Sequence, residues 1–225
     1  MSECDICAEL ADIKASLADH GDKLSILLTG VGALVAAIPP AANYWNPLDV
    51  GAGVVLSNGN KDAQAYFGVE SGYAVRSVTS HASGKYYAEL VLNSENTNDQ
   101  LGIANATYNV TTAISVGDDS NSIGYYMGDG SIYENNVNGA YGSGAAPGDI
   151  VSIAIDMAVS RAYFSINGVW QNSADPAAVT GGYAYSVTGD LFLAHTPSAS
   201  FSPTTLRTQL SEFTYTPPTG FSAWG

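Results

Sequence analysis

Positive charge is what this chain has least of. Its 225 residues carry seven Lys and Arg against 21 Asp and Glu, a formal net charge of −14. Nucleic acid demands a basic patch that neutralises phosphate, and anionic lipid demands the same. No nucleic-acid partner and no membrane partner is therefore expected. Cysteine is scarcer still. Cys4 and Cys7 are the whole complement, too few for a disulfide scaffold. Cys4-Asp5-Ile6-Cys7 supplies half a zinc site, with no second pair and no His-x-His nearby. A redox role needs a βαβ context that the pattern does not offer. Disulfides between identical chains remain an option for Cys4 and Cys7. Long apolar runs are missing too. The most apolar stretch, 26–38, is too short to span a bilayer and contains Gly30 and Gly32. The residues before it are mainly acidic, unlike the basic start of a secretory signal, so release into solution or into an assembly is expected.

Signatures of catalysis are equally thin. His20, His81 and His195 are far apart in sequence, and no Gly-x-Ser-x-Gly elbow accompanies them. No phosphate-binding glycine loop follows a strand. Asp118-Asp119-Ser120-Asn121 and Glu95-Asn96-Thr97-Asn98-Asp99 are oxygen-rich, but neither has EF-hand spacing. Both read as solvated turns. No catalytic residue, metal or cofactor is assigned, and the chain is not expected to be an enzyme. The rival of a different class is a glycan-cleaving enzyme, because paired carboxylates are a spatial feature that spacing does not reveal.

What the chain does have is two hydrophobic periods that meet at Pro39-Pro40. Before the prolines the pattern is heptad. Leu10, Leu17, Leu24, Val31 and Ile38 fill the a positions; Ile6, Ile13, Leu27 and Leu34 fill d, with His20 as the one polar d residue. Residues 3–38 hold about five heptads, more than a coiled coil requires. So narrow a stripe is a seam for partner chains. Leucine-rich a positions with mixed Ile and Leu at d favour three or four strands over two, and a homotrimer is expected. Gly21, Gly30 and Gly32 weaken the helix. His20 would place one imidazole per chain on the axis and help to fix register.

After the prolines the period becomes two, in short runs split by Gly, Asn and Asp. In 85–92, Tyr86, Ala88, Leu90 and Leu92 share one face, with Lys85 and Glu89 on the other. In 150–156, Val151, Ile153 and Ile155 align. Asn167-Gly168 after Arg161–Ile166 is the best hairpin signal, and Asn58-Gly59 and Asn138-Gly139 are further turn candidates. Other expected strands are 73–79, 101–105, 111–116, 122–127, 131–137, 183–188, 190–195 and 212–216. Many short strands without helical period make a β-sandwich or barrel. The Pro217-Pro218-Thr219-Gly220 tail cannot continue a ladder and should run over the surface. The domains expected are a helical oligomerising segment, 1–40, and a β head, 41–225. The prolines end the shared helical axis, so the heads are expected to splay beyond residue 38. Tyr125, Tyr126, Tyr133 and Tyr141 sit among Gly, Asn and Ser, a mixture that suits a ligand surface.

Three motifs in the head carry a family resemblance. Gly84-Lys85-Tyr86-Tyr87-Ala88-Glu89-Leu90 resembles the G-K-x-Y-x-E strand of SPRY (B30.2) domains. Leu101-Gly102-Ile103-Ala104 resembles the strand that follows it. Gly148–Asp156 through Phe164-Ser165-Ile166-Asn167-Gly168 is similar to the family's G-D…D…F-x-x-N-G hairpin, the most specific of the three. Trp45-Asn46-Pro47, Leu56-Ser57-Asn58, Phe213 and Pro218-Thr219-Gly220-Phe221 resemble the variants found in tailed-bacteriophage proteins. Tyr86-Tyr87 stands where a Trp is common.

The resemblance implies a bent sandwich of two antiparallel sheets that recognises partners through loops at one side. Gly84, Asp156, Asn167 and Gly168 would shape turns, and Tyr86, Ile155 and Phe164 would fill the core. No binding residue transfers. It further implies a phage virion structural protein on the particle surface, assembled in the host cytoplasm: a trimeric head fibre or capsid decoration protein anchored to capsid or tail proteins by its N-terminal segment. The alternative is a tail fibre or spike that recognises host surface glycan or protein.

Overall fold

The computed structural model describes residues 43–66, 73–93, 98–112, 114–198 and 202–225, all within one compact unit, Ala42–Gly225. The expected seam, from Ile6 to Ile38, and Cys4 and Cys7 lie outside the described residues.

Two sheets form among the described residues, and each strand presents alternate residues to the space between them. The first runs, in spatial order, β1 (Trp45–Val50), β4 (Val75–His81), β14 (Leu191–Thr196), β6 (Gln100–Asn105), β7 (Ser122–Tyr126), β8 (Ser131–Glu134), β9 (Val137–Ala140). The second runs β12 (Val169–Trp170), β11 (Arg161–Ile166), β10 (Ile150–Asp156), β5 (Lys85–Val91), β15 (Thr204–Arg207), β3 (Asp62–Ala65), β2 (Val54–Ser57). Two short strands lie off that path: β13 (Tyr183–Ala184) pairs with β11, and β16 (Ser222–Ala223) with β5. All pairs are antiparallel except β16 with β5. Leu101, Ile103, Ile123 and Leu193 from the first sheet meet Ala88, Leu90, Ile153 and Phe164 from the second in one fully buried core. Of the sandwich or barrel that the period-two pattern allows, this is the sandwich, as the family resemblance implies. Register fixes it: Ile153 lies between Ala88 on β5 and Phe164 on β11, so one apolar row crosses three strands.

Each outer face is also covered, by the chain itself. On the first sheet the cover is the segment after β6. Its Tyr108, Val110 and Val116 pack on Ala104 and Ala194. Gly124 makes the close approach possible, because a Cβ there would stand 2.1 Å from the Val116 carbonyl oxygen. The strand expected at 111–116 is therefore absent. Its polar groups are used otherwise: Thr112 N donates to Asn109 O within the segment at 3.4 Å, and Val116 N to the Thr196 hydroxyl on β14 at 2.9 Å.

On the second sheet the cover is the C-terminal segment. Glu89 points out of β5, yet it is fully buried. Its carboxylate accepts the amides of Thr214 at 2.9 Å and Tyr215 at 2.8 Å, the Tyr87 hydroxyl at 3.0 Å and Arg207 Nη1 at 3.4 Å. The strand expected at 212–216 does not form because a side chain, not a strand, takes those amides. Phe213 and Phe221 then close over Tyr87, Ala154 and Tyr163. The proline tail runs over the surface as expected, but it returns: Ser222 and Ala223 pair with Tyr86 and Tyr87, and Trp224 is buried against His81 and Tyr86.

The turns separate good signals from poor ones. Asn167-Gly168, at φ 50° and 78°, closes a two-residue hairpin between Ile166 and Val169. At Asn58-Gly59 the connection is longer, since Ser57 pairs with Asp62. Asn138-Gly139 is no turn at all; both residues lie in β9. The turn falls earlier, at Asn135-Asn136 with φ 52° and 58°, because asparagine also tolerates the left-handed region. That placement opposes Ile132 to Gly139 and keeps Ile132 in the core.

Replacing Glu89 with Ala leaves the Thr214 and Tyr215 amides without their acceptor and takes from Arg207 one of its two partners, the Thr214 hydroxyl at 2.7 Å remaining. The expected loss is about 3 kcal/mol in urea unfolding. Limited chymotrypsin digestion should then cut at Phe213 or Tyr215 well before the sandwich is lost.

Candidate functional site

The four tyrosines of the sequence reading do not form one surface. Tyr125 is fully buried and stacks on Phe164 at 4.9 Å between ring centres. Tyr141 meets the same ring edge-on at 6.0 Å. Both are core residues, as the inward phase of β7 requires for Tyr125. Tyr126 and Tyr133 point the other way, half-buried on the outer face, with ring centres 6.1 Å apart. The Tyr126 hydroxyl donates to Asn98 Oδ1 at 2.7 Å. This pair is what remains of the expected aromatic surface.

A buried cluster of polar side chains was not visible in the sequence pattern. Asp99, expected in an exposed loop, is buried, and so are His195 and Ser198. The pairing of Thr196 with Gln100 brings them together across β14 and β6, and alternation within one strand cannot disclose that register. Asp99 accepts the Ser198 amide at 3.1 Å and the Ser198 hydroxyl at 2.7 Å. His195 Nδ1 donates to Gln100 O at 2.9 Å, and Nε2 lies 2.8 Å from the Thr204 hydroxyl and 3.6 Å from Asp99. Trp45 stacks on the ring at 5.6 Å.

The residue types match a catalytic triad, but the geometry does not. The Ser198 hydroxyl is bonded to the carboxylate rather than to the imidazole, and His195 has no exposed surface. With His195 sealed from solvent and the Ser198 hydroxyl donating to Asp99, the order of groups is not that of a serine–histidine–carboxylate triad. It ties the start of β6 to the end of β14. Burial pushes the Asp99 carboxyl up to about 6 and the His195 imidazole down to about 4. His195 is therefore neutral at pH 7, with its proton on Nδ1, and the single proton of the Thr204 hydroxyl is shared between Nε2 at 2.8 Å and Ala63 O at 3.1 Å.

A groove opens where loops from both sheets converge at one end of the sandwich. Its volume is about 180 Å³, and Ala82, Met157, Ser160, Tyr185, Thr188 and Gly189 line it. Three features build it. Gly84, at φ 106°, turns the chain from β4 into β5. Asp156 is buried at the end of β10, held by Lys85 at 2.7 Å and capping Ala158 N at 3.1 Å. Asn105 Nδ2 donates to Thr188 O at 3.1 Å and fixes the far wall. No charged residue lines the groove. Burial pushes the Tyr185 phenol up to about 12, with Asp156 adding to the rise, so this wall stays neutral at any physiological pH. Such a socket suits one neutral sugar ring or one uncharged side chain. Among the described residues no cluster of His, Cys, Asp and Glu is placed to hold a metal ion.

The motifs that shape this end lie on β5, β10 and β11, and the SPRY domain family model matches residues 85–203. The chain belongs to the SPRY family. Solved structures agree on the fold. A TRIM65 PSpry domain superposes with a TM-score of 0.54 at 13% identity, covering 74% of this chain and 90% of that one. The SPRY domain of human HERC1 gives 0.54 at 16% identity, covering 72% and 95%. Another human SPRY domain gives 0.51 at 16%, covering 69% and 94%. No curated protein matches the chain. Within the SPRY motifs, Gly84, Asp156, Asn167 and Gly168 shape turns, while Ile155 and Phe164 fill the core. Tyr86 is half-buried at the core's edge, stacked on His81.

The buried pair has a pH signature with opposite halves. Asp99 titrates above its ordinary 3.8, so folding favours its protonated form and it adds stability as pH falls from about 6. His195 titrates below its ordinary 6.5, so folding favours its neutral form and it removes stability as pH falls from 6.5 towards 4. Together the two nearly cancel. Urea unfolding of Asp99→Asn should show stability falling between pH 6.5 and 4, and His195→Gln should show it rising. Parallel curves for both variants would mean that the pair does not titrate as described.

Proposed function

We propose that this protein is a structural component of a tailed-phage virion: a trimeric head fibre or capsid decoration protein. Its N-terminal heptad segment binds three copies together and anchors them to capsid or tail proteins, and its SPRY head is displayed at the particle surface after assembly in the host cytoplasm. The observation that carries this reading is the division of labour along the chain. A heptad pattern in 3–38 precedes a sandwich whose own segments cover part of both outer faces. A head whose own segments cover part of each sheet face leaves loops and edges as its main contact surface, which suits display. The phage resemblance of Trp45-Asn46-Pro47 and Pro218-Thr219-Gly220-Phe221 supports the setting. About five heptads make a helix of roughly 50 Å, a length suited to a particle-bound knob.

The neutral groove favours a second reading, a tail fibre or spike that recognises host surface glycan or protein. Three copies of a weak site would gain avidity on a cell surface. A glycan-cleaving activity is the third possibility, and it lacks an accessible acid pair in the groove.

Immunogold labelling of intact particles separates the first two readings: label over the capsid is expected, and label at the tail tip favours the second. Deleting residues 1–40 should abolish incorporation into particles. Ala82→Trp, at an exposed position on the groove, should leave incorporation unchanged and should reduce adsorption only if the groove takes a host ligand. Incubation with host polysaccharide should release no reducing ends.

A further inference from the structure

Leu48 is 94% exposed, and it is not loose. Five steps along β1, from Trp45 to Val50, are set against two along β4, from Ser77 to Val75. The excess bulges from the sheet edge. Asn46 Oδ1 accepts the Leu48 amide at 3.0 Å. Asp49 is held by buried Arg76 at 2.6 Å, and Arg76 in turn lies 5.0 Å from the centre of the Phe192 ring. The loop is closed on both sides of the leucine and presents it outward beside exposed Pro47.

Two further exposed apolar residues surround the same part of the head. Val78 is 42% exposed, and its amide donates to Tyr44 O at 2.9 Å. Leu210 is 68% exposed and follows Thr208, whose hydroxyl donates to Asn43 O at 3.0 Å. A single exposed apolar side chain is ordinary. All three lie within a few residues of the hydrogen bonds that hold the chain where it enters the head, and together they give that end an apolar rim. Nearby charges are already matched: Asp49 with Arg76, and Glu212 with Lys61. A like-charged copy could therefore approach this spot without meeting an unpaired carboxylate from either ion pair.

We propose that this entry collar is where neighbouring heads touch one another, with Leu48 as the anchor. The inference rests on the trimer reading of the heptad segment. Ile38 is its last core position, and four residues, five steps of chain, lie between it and Asn43. That tether reaches at most about 18 Å. Three heads leaving one axis on such short tethers meet at their entry ends, and those ends carry the apolar collar. The collar limits the splay that Pro39-Pro40 would otherwise allow.

Cross-linking tests this on the full chain with Cys4 and Cys7 changed to Ser. Leu48→Cys should form chain-to-chain disulfides under mild oxidation roughly tenfold or more faster than Val169→Cys, since a tether raises effective concentration only where geometry permits the encounter. Val169 is 68% exposed on β12, at the far edge of the other sheet, and serves as the control. A trimeric mass in sedimentation equilibrium with equal cross-linking at both positions overturns the collar and leaves the trimer standing. A monomeric mass near 23.3 kDa overturns both.

Discussion

A carboxylate with no exposed surface, on the outward side of β5, organises the rest of this head. Left alone, a buried charge costs several kcal/mol. Glu89 recovers that cost by drawing in the amides of Thr214 and Tyr215 together with the Tyr87 hydroxyl and Arg207. Once those amides are captured, the C-terminal segment has to lie across the sheet, and Phe213 and Phe221 fall onto Tyr87, Ala154 and Tyr163. The same path delivers Ser222 and Ala223 to the edge of β5 and Trp224 to His81. Strand β5 thus has partners on both edges and cover on both faces. A glutamate in the middle of a strand is usually the mark of a wet surface, and here it marks a second interior.

That inversion explains what the sequence disclosed and what it hid. Periodicity of two along 85–92 and 150–156 was legible because those strands bury one row of apolar residues, and the Asn167-Gly168 turn was legible because its backbone demands those residue types. The segments 111–116 and 212–216 looked like strands because they carry apolar residues at strand spacing. They bury those residues against an outer face instead, and side chains accept or supply their hydrogen bonds. Asp99 and His195 were illegible for another reason. Their meeting depends on the register of β14 against β6, which no single stretch of sequence encodes. The tyrosines divided by phase: Tyr125 and Tyr126 are neighbours in sequence and therefore sit on opposite faces.

The polar groups of the interior are structural in effect. Asp99 with Ser198, Asp156 with Lys85 and Glu89 with the C-terminal amides each fasten a loop or segment to a strand end or face. With so much polarity turned inward, the groove between Ala82 and Thr188 is left neutral. Such a surface offers shape, hydroxyl and backbone groups but no charge. The solved SPRY domains share the fold that frames this end, and the loops that line it are those of the present chain.

The residues at the two limits of the head are tied to one threonine. Thr208 Oγ1 donates to Asn43 O, and Thr208 O accepts Gly225 N at 3.1 Å. A domain whose first and last strands close on a common point leaves almost no gap for a host chain to bridge. Such a head is portable. It could be transplanted into a surface loop of an unrelated scaffold at little entropic cost of closure, and the graft would inherit a fixed orientation from that one hydroxyl and carbonyl.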